Sequence, residues 1–88
     1  MSPVVMESPV EAQGRMVAAL SRSSVGVEGL KSRLLGWGRK EPVALLLADG
    51  AGIRAFDPGG GALSEAEIEA LCPGAWAAFH AASRHLRG

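Results

Sequence analysis

The side chains of this chain best suited to chemistry fall in two groups. Cys72, His80 and His85 supply a thiol and two imidazoles, and Lys31, Arg33, Arg39 and Lys40 surround Trp37. Thiolate and imidazole are ligands for soft and borderline metal ions. His80 and His85, however, are five residues apart, about 140° around a helix, so one straight helix cannot offer both to an ion as an i, i+4 pair does. Basic groups interleaved with tryptophan can hold phosphates and stack on bases. That option is weakened by the overall balance of nine basic and nine acidic residues, since nucleic-acid affinity rests on neutralising phosphates.

Cys72-Pro73 also forms the dipeptide of short haem-regulatory motifs, which by itself carries almost no specificity. The sequence therefore favours a buried, unreactive Cys72. Haem or metal response through Cys72 stays an alternative, as does nucleic-acid binding through the basic segment, and no cofactor is expected. Serine, histidine and aspartate occur without any motif relating them, and Glu65, Glu67 and Glu69 are spaced two apart rather than onto one helix face. The chain is expected to be no enzyme. Gly50-Ala51-Gly52 is followed by strand-like residues instead of a helix, which excludes a dinucleotide or P-loop fingerprint. Pro58-Gly59-Gly60-Gly61 precedes a helix start, but glutamates already occupy that positive end, so a linker is the better reading.

The elements that would position these residues centre on Pro42 to Pro58. Val43 to Ala48 is an apolar run of strand length, Asp49-Gly50-Ala51-Gly52 supplies turn residues, and Ile53 to Phe56 resumes the apolar content. The pattern predicts a β-hairpin whose first strand wants cover on both faces. Ser8, Pro9 and Glu11 spell a capping box, and Val10, Gln13, Met16, Val17 and Leu20 fall on one helical stripe, predicting a first helix to about Ser21. Val27, Leu30, Leu34 and Trp37 recur at helical spacing and predict a second, weakened by Gly26 and Gly29. After a hinge at Asp57 to Gly61, Ser64 to Glu67 spell another capping box flanked by Leu63 and Ile68. Pro73-Gly74 should break that helix, and Trp76, Phe79, Ser83 and Leu86 should line one face of the last.

The expected architecture is thus a small, mostly helical α+β domain of order α-α-β-β-α-α around a central two-stranded antiparallel hairpin, spanning residues 8–88 after a flexible lead-in of residues 1–7. Hydrophobic residues make up 48% and charged residues 20%, which suits a folded domain, but only four residues are aromatic, so large core anchors are few. Residues 1–40 hold six basic and three acidic groups, and residues 41–83 hold one and six, a polarity that pairs the two halves or steers a partner. A single cysteine excludes an internal disulfide, the start lacks a signal-peptide pattern, and no apolar run spans a bilayer. A cytoplasmic protein without membrane association is expected. The arginine, alanine and glycine usage suits a GC-rich bacterial coding sequence. The function expected is a protein-interaction module, an adaptor, inhibitor or accessory subunit, binding another protein or itself as a homodimer. Its candidate contact residues are Arg33, Trp37, Arg39, Leu46 and Trp76.

Overall fold

The computed structural model describes residues 4–23 and 40–87. Its main element is a six-stranded antiparallel sheet. The strands are β1 (Val4–Met6), β2 (Val10–Ala12), β3 (Arg15–Ser23), β4 (Lys40–Asp49), β5 (Gly52–Phe56) and β6 (Ala62–Leu63). Two short helices, α1 (Glu65–Leu71) and α2 (Ala75–Ala82), and a 3-10 turn over Arg84–Arg87 follow. The order across the sheet is β1-β3-β4-β5-β6, with β2 continuing the β1 edge along β3.

This corrects the expected mostly helical domain with a two-stranded hairpin. The expected first helix is instead the hairpin β2–β3, with Ala12 opposite Arg15 across a two-residue turn. Gln13 at φ 54° and Gly14 at φ 76° both occupy the left-handed region, the conformation of the turn whose twist matches paired strands. Met16, Ala18 and Leu20 are buried in alternation with the half-buried Val17 and Ala19. Both faces of β3 are apolar, so its period of two is hidden and a helical stripe can be drawn through the same residues. The apparent N-terminal capping box is a coincidence of types: Glu11 pairs with His85 at the far end of the chain.

The edge and the second strand are both irregular. Met6 pairs with Leu20 and Val10 with Val17, so the edge carries one residue more than its partner there, in a stretch holding Pro9. The Glu7 N–H still reaches the Ala19 carbonyl at 2.8 Å. On β4 the register shifts opposite Leu20 and Ser21, leaving Val43 as the extra residue beside Pro42. Proline is tolerated at such a bulge, where no ladder donor is needed, and β4 therefore runs through Pro42 to Lys40.

The expected β4–β5 hairpin is present, with Asp49 opposite Gly52. Gly52 sits at φ 140°, a conformation that L side chains rarely adopt, so glycine is required there. One face of the sheet, formed by Met16, Ala18, Leu20, Ala44, Leu46, Ala48 and Ala55, packs against Ile68, Ala75 and Phe79 of the helices. The alanines let the helices approach closely, but each buries little area. Trp76 and Leu86 are partly buried against this core and Ser83 is buried, so the inward face expected of the last helix is present.

Local signals near the helices are mostly as read. Ser64 is the N-cap of α1: its Oγ accepts the Glu67 N–H at 3.1 Å and donates to the Glu67 carboxylate at 3.3 Å. Helix α1 ends at Cys72, and α2 begins after Gly74. The α2 start has no capping side chain of its own, and Glu69 of α1 takes that part by accepting the N–H groups of Gly74 at 2.9 Å and Trp76 at 3.3 Å. The stretch read as a hinge is a closed loop. Asp57 Oδ1 accepts the N–H groups of Gly59 and Gly61 at 2.9 and 2.8 Å, and its own N–H donates to the Gly61 carbonyl.

Candidate interaction surface

Because a strand alternates its side chains, the face turned away from α1 and α2 collects the other residues of each strand. Register places Val10, Val17, Leu47 and Arg54 in one cross-strand row. A second row runs Ala19, Leu45, Phe56 and Ala62. The rows lie side by side; Arg54 is charged, and Glu7, whose N–H donates to the Ala19 carbonyl at 2.8 Å, stands beside Ala19 at the edge of the second row. Val5, Val10 and Leu45 are 45%, 68% and 41% exposed, and among the described residues they are the large hydrophobics left most open to solvent. All three belong to this face. Ser21, next after Ala19 on the same alternation, is buried, so the open part of the face runs from Ala19 toward the β4–β5 turn.

That turn carries the face's charges. Asp49 accepts the Ala51 N–H at 2.8 Å and pairs with Arg54 at 3.2 Å. The Ala51 N–H is the main cause holding the Asp49 carboxyl below its ordinary value. Partial desolvation opposes it, and the charge of Arg54, the Gly52 N–H and the charge of Arg15 add to it. Asp49, Ala51, Gly52, Ile53 and Arg54 line a half-open recess of about 300 Å³. Its charged groups already satisfy each other, so the recess closes off the end of the apolar rows with a paired polar rim.

Of the contact residues singled out from sequence, the described ones lie in or against the core rather than on the open face. Arg33, Trp37 and Arg39 lie outside the described residues, as do Lys31 and the expected second helix. Leu46 is fully buried beneath the helices, where it serves the core, while its neighbour Leu45 points the other way. Trp76 is partly buried against that same core. Cys72 is partly buried and its thiol donates to the Val4 carbonyl at 3.2 Å, tying the α1–α2 junction to the edge strand. Among the described residues no group of three or more His, Cys, Asp and Glu side chains is placed to hold a metal ion. No described helix is long and apolar enough to cross a membrane.

The sequence reading asked for cover on both faces of Val43 to Ala48 but named no contact residue on the open face. Its signal was the absence of polar alternation in both Met16 to Leu20 and Val43 to Ala48, which requires that the second face of each strand be apolar as well. No protein-family model, curated protein or solved structure matches the chain. The reading of this surface therefore rests on its own geometry.

Proposed function

We propose that the protein is a non-enzymatic protein-interaction module, an adaptor, inhibitor or accessory subunit, that binds through the open face of its sheet. The observation that supports this reading is the gathering of Val5, Val10 and Leu45, the most exposed large hydrophobics described, on the one sheet face that the helices leave open. A sheet buries apolar residues on both faces when a second layer is available, and contiguous exposed apolar surface with a polar rim marks contact with another macromolecule. The occupant suited to such a surface is a flat apolar protein face. The Arg54, Asp49 and Arg15 end would set orientation more than affinity.

The test is capture by the tagged full-length chain from a lysate that also contains an untagged copy, with and without nuclease, using wild type and Leu45→Asp. The reading predicts a stoichiometric protein, whether another chain or the untagged copy, that survives nuclease and is lost with Leu45→Asp. Recovery that depends on nucleic acid, or that Leu45→Asp leaves intact, would remove this face as the binding surface.

A further inference from the structure

We infer that the break between β1 and β2 is a guard, which keeps this edge of the sheet from taking up a further strand from another chain. An unpaired edge is a template for strand pairing, and the need for a guard is plain here. Every residue of β2 is exposed, and among the described residues no strand pairs on the outer side of β1 or β2. Val5 and Val10 lie on either side of the break, 45% and 68% exposed, and would add side-chain contacts to any strand laid beside them.

Backbone directions along this edge follow from the turn and the pairing. The residues that close a two-residue turn face each other, so Ala12 and Val10 direct their N–H and C=O groups to β3, while Glu11 and Pro9 direct theirs outward. On β1 the Glu7 N–H bonds the Ala19 carbonyl, so Val5 also faces β3, and Val4 and Met6 face outward. In an unbroken strand the outward residues recur at every second position. Met6 and Glu11 are five positions apart, an odd interval, so a straight strand in register with one is out of register with the other. Other details act the same way. Pro9 stands at an outward position and offers no N–H there, the Val4 carbonyl already accepts the Cys72 thiol at 3.2 Å, and Glu11 brings a carboxylate to the edge, paired with His85. Deleting Ser8 would set Glu7 and residue 9 opposite Ala19 and Ala18, and the alternation would then run unbroken from Val4 to Ala12.

The experiment uses the full chain carrying Leu45→Asp, which takes the open face out of the comparison, so that failure here leaves the binding surface of the previous subsection untouched. The natural edge is compared with an edge carrying Pro9→Val and lacking Ser8. The readouts are sedimentation velocity and the amide hydrogen exchange of Met6 and Glu11, from low to several hundred micromolar, with circular dichroism as the check on folding. We expect exchange at both amides to be independent of concentration with the natural edge. With the continuous edge, the chain should associate and both amides should slow as concentration rises. A continuous edge that folds and leaves both amides unprotected at every concentration overturns the inference. A continuous edge that fails to fold also overturns it, because the break is then a requirement of the fold and not a guard. Concentration-dependent slowing of both amides with the natural edge overturns it whatever the variant does.

Discussion

Asp57 shows how one carboxylate organises a glycine-rich stretch. Its side chain gathers the N–H groups of Gly59 and Gly61, and a Cβ built on Gly61 would lie 2.7 Å from Asp57 Oδ2. A side chain at Gly61 must therefore push that carboxylate from its seat. Gly61→Ala should lower the unfolding free energy by about 1–3 kcal/mol through that clash. In an Asp57→Ala background the same substitution should cost much less, because the clashing atom is gone, and urea unfolding of the four proteins would show the coupling. Additive losses would mean that the carboxylate is not seated in the loop.

Asp49 makes a separate claim at the same scale. Its folded carboxyl titrates below the ordinary 3.8, chiefly because of the Ala51 N–H. A depressed folded value means that the stabilisation is present above the unfolded value and is lost as pH falls through the folded one. The difference in melting temperature between wild type and Asp49→Asn should therefore shrink as pH drops below about 3.8, with wild type the more stable at neutral pH. A constant difference through the acid range would contradict it.

Among the elements, the β2–β3 hairpin departs furthest from expectation, and it offers a clean discriminator. Gln13 occupies a left-handed position at φ 54°, which asparagine adopts more readily than glutamine. Gln13→Asn should raise stability by roughly 0.5 kcal/mol if the turn is as described, and lower it slightly if residues 8–21 were a helix, where asparagine is the poorer residue. The sign of the change in denaturation midpoint decides between them.

Glu69 is a further element-level case, since its spacing in the sequence assigned it no partner. As acceptor for Gly74 and Trp76 it joins α1 to α2, and Glu69→Ala should cost about 1 kcal/mol, as the loss of a helix cap does. Elements bounded by local chemistry were legible in the sequence. The β4–β5 turn, the Ser64 cap and the break at Pro73-Gly74 each depend on residues within a few positions of one another. The first hairpin was not, because its burial pattern is set by the distant strand β4 and by the helices, and because alanine and valine on its second face erase the polar alternation that reveals a strand. The edge irregularities near Pro9 and Val43 were hidden for the same reason: each is a matter of pairing.

For the molecule as a whole, the consequence is a sheet with one face packed against its own helices and the other, among the described residues, carrying exposed Val5, Val10 and Leu45. Sequence marked Val43 to Ala48 as wanting cover on both sides, yet it singled out Leu46, the residue covered from within, and not Leu45. Only the register that joins β3, β4 and β5 tells the two faces apart. The measurement that tests this division most directly is equilibrium unfolding, followed by circular dichroism, of Leu45→Asp and Leu46→Asp side by side. Leu46→Asp puts a charge into the core and should leave the chain unfolded, whereas Leu45→Asp should fold with nearly the wild-type monomer's stability and fail to associate. If Leu46→Asp folds, or if Leu45→Asp unfolds the chain as Leu46→Asp does, the assignment of the two faces is wrong.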